Sequence, residues 1–168
     1  MKGTRILITA EPRGVFEEVI VVGTPKPGVM MEIVPATEPV GNVFSYAPYG
    51  TQAASSDKFV TGDGNRKCVA VLFEDDAQGK TYDDAYVTGT RGKVYFPVPG
   101  EQLNMLIQNQ SGTGDAFAIG DELMADDGTG KMLAVSSPEA APFTCLETLA
   151  ALTADAWGRC RFNGTAGA

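Results

Sequence analysis

The chain has 168 residues, 43% of them hydrophobic, so it is long enough to bury a core without disulfides or metals. Its net charge of −8 argues against direct binding to nucleic acid. It contains no histidine and so lacks the commonest general base and the commonest metal ligand. The composition therefore argues against an enzyme.

Residues 1–14 are predicted to form an extended arm, broken near its end by Pro12 and Gly14. The charged residues of the arm are Lys2, Arg5, Glu11 and Arg13. Three cations against one anion give the arm +2, so the rest of the chain carries −10. The apolar run at 6–8 is too short for a signal peptide, and no stretch approaches the ~20 apolar residues of a membrane span. We therefore expect a chain made in the cytoplasm, with no membrane contact.

Residues 15–168 are predicted to form a single β-rich domain, because 20 glycines and 10 prolines favour short strands joined by turns. A strand at 19–23, a proline-rich turn at 24–28 and a strand at 29–35 predict a first hairpin. A long irregular excursion at 36–67 follows, with one short strand inside it. Excursions of this length normally bind something or contact another subunit.

Four further elements are predicted after a core strand at 68–73. The runs KVYFPV and QLNMLIQN alternate on either side of Pro99-Gly100 and predict a second hairpin. Residues 118–135 predict a third, around Asp127-Gly128. The segment 144–153 stays open between helix and strand. A final strand at 159–162 turns Cys160 and Phe162 inward.

The stretch FEDDAQGKTYDDAY (73–86) is the most chemically suggestive. Its carboxylates are Glu74, Asp75, Asp76, Asp83 and Asp84. The Gly79-Lys80-Thr81 triplet resembles the end of a phosphate-binding loop, but Glu74 stands where that loop needs its first glycine. An EF-hand register fails as well, because Ala85 would occupy the bidentate position. We predict a charged rim loop, either exposed or facing a basic patch of a partner; weak, irregular cation binding by the four aspartates stays open.

The cysteines Cys68, Cys145 and Cys160 are far apart and form no C-x-x-C pair, so neither a zinc site nor a disulfide framework is indicated. We predict small buried apolar residues in a reducing compartment. None of the sequence motifs tested fits a catalytic site. The sequence therefore predicts no enzyme and no cofactor.

Four features follow one another in a particular order: the VIVVGTPKPG-VMMEI segment, the acidic loop, KVYFPVPGEQLNMLI, and IGDELMADDGTGKMLAV. In this order the chain resembles the head decoration, or cement, proteins of tailed bacteriophages, over roughly residues 15–165. The resemblance implies a mainly β fold, a small β-barrel or β-tulip-like sandwich with an extended N-terminal arm.

The resemblance also implies a non-enzymatic virion protein, made in the host bacterial cytoplasm and placed on the outer surface of the head. Such proteins bind the expanded capsid at three-fold and quasi-three-fold positions, usually as homotrimers, and hold the major capsid protein against internal DNA pressure. The arm residues that would contact the capsid or a neighbour are Lys2, Arg5, Ile6, Leu7 and Ile8. Deleting residues 1–10 should then abolish capsid binding and leave the melting temperature nearly unchanged.

Two alternatives remain. The chain could be a binding module that uses the 36–67 excursion to hold a carbohydrate or a peptide, with Tyr46, Tyr49 and Phe59 as contacts. It could also be an enzyme that works through carboxylates, for which the acidic loop is the only support.

Overall fold

A computed structural model of the chain describes residues 6, 12–34, 43–49, 70–109, 115–126, 128–135 and 141–164. These residues form twelve strands and one 3-10 turn, Asp76–Gln78. The strands are β1 (Val15–Val21), β2 (Met30–Ile33), β3 (Ser45–Pro48), β4 (Ala70–Phe73), β5 (Arg91–Phe96), β6 (Gln102–Ile107), β7 (Asp115–Phe117), β8 (Glu122–Ala125), β9 (Met132–Ala134), β10 (Phe143–Cys145), β11 (Leu149–Leu152) and β12 (Ala156–Phe162). The predicted mainly β class is confirmed.

Ten of the strands form two closed five-stranded barrels. Barrel 1 has the order β1-β3-β2-β4-β5 and closes where β5 pairs with β1. Barrel 2 has the order β10-β12-β6-β9-β8 and closes where β8 pairs with β10. Strands β7 and β11 form a separate two-stranded sheet. Closure pairs the outer strands of each sheet with each other, which protects edges that could otherwise recruit another chain.

The first predicted hairpin is wrong, although both of its strands exist. Strand β3 lies between them, parallel to β1 and antiparallel to β2. At the end of the first predicted strand the Val22 amide donates to Tyr46 O at 2.8 Å, and at the end of the turn the Gly28 amide donates to Leu72 O at 2.8 Å. The short strand predicted inside the excursion therefore takes the place beside β1 that the hairpin required.

The second predicted hairpin is also wrong, because β5 belongs to barrel 1 and β6 to barrel 2. Pro97 and Pro99 follow β5, and a proline has no amide with which to extend a ladder. The chain uses this segment to cross between the barrels. The third hairpin is confirmed: β8 and β9 pair in antiparallel register from Leu123↔Ala134 to Ala125↔Met132.

The undecided segment 144–153 is strand rather than helix, divided between β10 and β11. Leu149 and Leu152 are both buried, a spacing of three that imitates a helical stripe. The register of β11 against β7 shifts between these two leucines, and Ala151 adopts φ 40°. This bulge turns the two alanines outward together. The final strand is confirmed, with Cys160 and Phe162 buried.

The two barrels share apolar contacts. The interior of barrel 1 is lined by Val19, Val21, Met31, Leu72 and Val94. Its outer face contributes Met30, Val71 and Tyr95 to the core of barrel 2, beside Leu103 and Met105. Burial of these side chains is the main force that holds one barrel against the other.

Candidate functional site

The acidic loop is only partly the exposed rim that the sequence predicts. Asp76, Asp83 and Asp84 are exposed, whereas Glu74 and Asp75 are buried, with relative exposures of 8% and 3%. For these two the prediction of an exposed loop is wrong. A buried carboxylate needs donors or a cation, and both are supplied from distant parts of the same chain.

Asp75 is bonded by three donors of its own chain. It accepts hydrogen bonds from Lys93 Nζ at 3.0 Å, from Gln78 Nε2 at 2.7 Å and from the Ala77 amide at 3.2 Å. Burial opposes its ionisation, but the bond and charge of Lys93, together with the bonds from Gln78 and the Ala77 amide, outweigh burial and hold the pKa of Asp75 below its ordinary value. Asp75 therefore acts as a structural anion.

The exposed part of the loop is also tied to its own chain. Asp83 forms an ion pair with Lys26 at 2.6 Å. Asp84 Oδ2 accepts from the Thr81 amide at 2.9 Å and the Thr81 hydroxyl at 2.6 Å, and these bonds lower the pKa of Asp84. Contact of Asp76, Asp83 or Asp84 with a partner stays a prediction.

Of the predicted arm contacts, the structure describes Ile6 alone; Lys2, Arg5, Leu7 and Ile8 lie outside the described residues. Ile6 is fully buried in the core of its own chain. Its amide donates to both Glu74 carboxylate oxygens at 3.2 Å, and its carbonyl accepts from the Asn104 amide at 2.6 Å. Ile6 is therefore not available to a neighbouring subunit.

We expect Ile6→Ala to lower the free energy of unfolding by about 2–4 kcal/mol, because it empties a buried site. Deletion of residues 1–10 also removes Ile6, so it should lower the melting temperature. The sequence-based expectation of a nearly unchanged melting temperature is therefore revised. Urea denaturation measures the first effect. Val87→Ala is the control, since Val87 is 57% exposed and should change stability little. Equal stability of the two variants would contradict the placement of Ile6.

The tyrosines proposed as ligand contacts of the excursion do not serve that purpose. Tyr46 and Tyr49 are buried, with relative exposures of 7% and 3%, and belong to the core clusters. Phe59 lies outside the described residues. The binding-module hypothesis therefore loses two of its three predicted contact residues.

A different concave site lies between the barrels, with a volume of about 660 Å³. Val22 and Pro48 line it from barrel 1, and Leu106 and Trp157 line it from barrel 2. We call it the inter-barrel groove. Its size falls within the range of small-molecule and peptide sites.

Two ion pairs border the inter-barrel groove. Lys131 Nζ bonds Asp155 Oδ2 at 2.7 Å, and both residues line the groove. Lys26 also lines the groove, and it pairs with Asp83, which lies outside the lining. Burial opposes ionisation of Asp155, but the hydrogen bonds from Lys131 and the Asn109 amide, together with the charges of Lys131 and Lys26, outweigh it and lower the pKa of Asp155. The charges of the groove are thus largely neutralised within the chain.

Trp157 is the aromatic side chain of this groove. Lys26 Nζ lies 5.5 Å from its ring centroid, Tyr82 packs edge-on at 5.2 Å, and its indole N–H donates to Pro27 O at 3.4 Å. Sequence reasoning missed this residue, although a signal was present. With Cys160 facing inward, strand alternation places the single tryptophan of the chain on the outer face of β12.

Three carboxyl groups of the acidic loop and the groove are poorly suited to act as general acids at neutral pH. A general acid at neutral pH needs a carboxyl group whose pKa is raised. Asp75, Asp84 and Asp155 are all shifted downward instead. Within the described ranges, no group of three or more Cys, Asp and Glu side chains is placed to hold a metal ion.

No protein-family model matches the chain, and no curated protein matches it. Among the described residues, no helix is long and apolar enough to cross a membrane.

Proposed function

We propose that the chain is a head decoration protein of a tailed bacteriophage. It binds the outside of the expanded capsid at three-fold and quasi-three-fold positions as a homotrimer and stabilises the major capsid protein against internal DNA pressure. It is made in the bacterial cytoplasm and carried on the virion surface. The arm residues Lys2, Arg5, Leu7 and Ile8 remain proposed contacts; Ile6 does not, because it is buried.

The observation that carries the proposal is an exposed apolar mouth at one end of barrel 1. Val15 is 65%, Ile33 42% and Phe44 41% exposed. Val15 pairs with Phe96, and Ile33 pairs with Tyr46. We call Val15, Ile33, Phe44 and Phe96 the apolar mouth.

Barrel geometry explains why these side chains lie together. The Tyr46 and Phe96 rings are 6.5 Å apart, and Phe44 points the same way as Tyr46 because it precedes it by two residues. The mouth is therefore the end of the interior of barrel 1, at which Val15, Ile33 and Phe44 are exposed and Phe96 is partly buried. Exposed apolar side chains that share one end of a barrel are candidates for a protein–protein contact.

The apolar mouth and the resemblance to decoration proteins together favour a capsid lattice as the partner. Single small contacts are weak, but three copies in one trimer engage the lattice simultaneously and gain avidity. The mouth needs to contribute only modestly per subunit. The acidic body, at −10 without the arm, favours a basic or neutral capsid surface beside it.

We expect the double variant Val15→Ser/Phe44→Ser to bind expanded heads at least about tenfold more weakly, because losing two apolar contacts removes about 1–2 kcal/mol per subunit. Binding isotherms on expanded heads of the phage that encodes the chain measure the effect. The double variant should fold normally, since both side chains are already largely exposed.

Ile119→Ser is the matched control, because Ile119 is an apolar residue of 67% exposure in the β7–β8 turn, away from the mouth. It should bind like the unmodified chain. Wild-type affinity for the double variant, with or without a loss for Ile119→Ser, would exclude the mouth as the docking surface.

The inter-barrel groove favours a second candidate, a module that binds a carbohydrate or peptide there. Since Trp157 is the only tryptophan, its fluorescence reports on this groove alone. Titration with oligosaccharides and proline-rich peptides should give a saturable change if this function is right. An unchanged signal, with Trp157→Phe as the blank, would reject it.

A further inference from the structure

Two of the three cysteines, separate in sequence, are direct neighbours in the structure. Cys145 of β10 and Cys160 of β12 are register partners in an antiparallel pair. Both are buried, with relative exposures of 0%, and both are free thiols. The sequence spacing gave no reason to pair them.

The hydrogen bonds of this ladder show which kind of pair the cysteines form. The Leu146 amide donates to Arg159 O and the Asn163 amide donates to Pro142 O, both at 2.8 Å. Hydrogen-bonded and non-hydrogen-bonded pairs alternate along an antiparallel ladder, so Cys145 and Cys160 occupy a non-hydrogen-bonded pair. In such a pair the Cα atoms lie about 4.5 Å apart, within the range that a disulfide spans.

The side chains are turned toward the same end of the pair. Cys145 Sγ donates to Glu147 O at 3.0 Å, and Cys160 Sγ lies 3.4 Å from Gly158 O. Because the strands are antiparallel, Glu147 and Gly158 are on the same side of the cysteine pair. The sulfur of Cys145 also contributes to raising the pKa of Cys160, after burial, which is the larger cause.

We propose that Cys145 and Cys160 are a modification site, at which a small disulfide oxidant such as oxidised glutathione forms a cross-strand disulfide inside barrel 2. The Cys145 thiolate attacks one sulfur of the oxidant and releases one thiolate. Cys160, as thiolate, then attacks Cys145 Sγ and releases the second. The protons of the two cysteines pass to the two leaving thiolates, so two thiols are oxidised and one disulfide is reduced.

Burial makes this reaction slow in the closed protein and sets when it occurs. Burial raises the pKa of both thiols, and only the thiolate attacks, so the ladder must open locally first. If the chain is a decoration protein, as proposed above, the thiols stay reduced in the cytoplasm and meet oxidant after release of the virion. The disulfide would then stabilise the barrel in particles outside the cell.

The test uses the isolated full-length chain and is independent of capsid binding. A Cys68→Ser chain is refolded from urea in a buffer of reduced and oxidised glutathione, so that both thiols are accessible before barrel 2 closes. Acid quenching, alkylation and peptide mapping then identify the pair. We expect most molecules to carry the 145–160 disulfide, with a melting temperature raised by roughly 5–10 °C and restored by dithiothreitol.

Two further variants distinguish the proposed disulfide from nonspecific oxidation. Cys68→Ser/Cys145→Ser and Cys68→Ser/Cys160→Ser each retain one thiol and should show no rise in melting temperature under the same conditions. Free thiols at both positions after refolding, a disulfide that lowers the melting temperature, or an equal rise in the single-thiol chains would each overturn the proposal.

Discussion

Replacing Gly130 with alanine is expected to destabilise the protein by about 3 kcal/mol, lowering the melting temperature by roughly 6–12 °C. Gly130 has φ +68°, and a Cβ placed on it would lie 2.2 Å from the carbonyl oxygen of Met30. That oxygen belongs to barrel 1 and also accepts the Tyr49 amide at 3.0 Å. The β8–β9 hairpin would have to withdraw from barrel 1 and give up the bond from the Met30 amide to Gly130 O.

Gly128→Ala provides the matched control for this effect. Gly128 lies in the same hairpin with φ +95°, but nothing lies within 4 Å of the Cβ position. Its substitution carries only the backbone cost of about 1–2 kcal/mol. Differential scanning calorimetry of both variants gives the comparison. If Gly130→Ala is no less stable than Gly128→Ala, the close contact between the hairpin and barrel 1 is wrong.

Glu101→Gln is expected to destabilise the protein by about 3 kcal/mol, because it removes a buried charge that accepts several hydrogen bonds. Glu101 is 1% exposed. Its carboxylate accepts from the Arg13 amide at 2.6 Å, the Val98 amide at 2.9 Å and the Tyr95 hydroxyl at 2.7 Å. An amide group at this position presents a donor where the carboxylate accepted. The loss loosens both the arm end and the crossover between barrels.

The pH dependence of stability follows from the same site. Burial opposes the ionisation of Glu101, but its hydrogen bonds outweigh burial and lower its pKa. Burial, together with the bond to Glu101, raises the pKa of Tyr95 to about 12, so the hydroxyl remains a donor. A lowered folded-state pKa gives stability that is complete above the unfolded pKa and lost as pH falls through the folded pKa. Stability should therefore fall below about pH 4.3.

Urea denaturation between about pH 3 and pH 6 measures this dependence, which should be shallower in Glu101→Gln than in the unmodified chain. Asp75 and Asp155 have lowered pKa values too, so part of the slope should persist. Glu18→Gln is the control: its partner Arg91 is exposed, and such a pair contributes little. An unchanged slope in Glu101→Gln would show that Glu101 is not the buried anion described here.

Local signals in the sequence were sufficient for part of the fold. The β8–β9 hairpin could be predicted because its turn glycines and its alternation lie within one short segment. The inward face of β12 could be predicted from Cys160 and Phe162 for the same reason. Segment 144–153 could not be assigned, since the bulge between Leu149 and Leu152 depends on pairing with β7, which is remote in sequence.

Non-local pairing explains most of the errors. Hairpin predictions assume that consecutive strands pair, which holds for only about two-thirds of strands. The insertion of β3 beside β1 and the separation of β5 from β6 both violate that assumption. The candidate sites depend on the same long-range order. The buried Glu74 accepts a hydrogen bond from the amide of Ile6, which is 68 residues away in the sequence. The inter-barrel groove is lined by Lys26, Lys131 and Trp157, which belong to separate elements that only the folded chain brings together.

Co-sedimentation of the purified chain with expanded and unexpanded heads of its phage, followed by a copy count, tests the decoration function most directly. We expect saturable binding to expanded heads alone, at about three copies per three-fold position, as a trimer at that site requires. The Val15→Ser/Phe44→Ser variant should need a higher concentration to reach the same count. Absence of binding to either form of the head would contradict the proposed function.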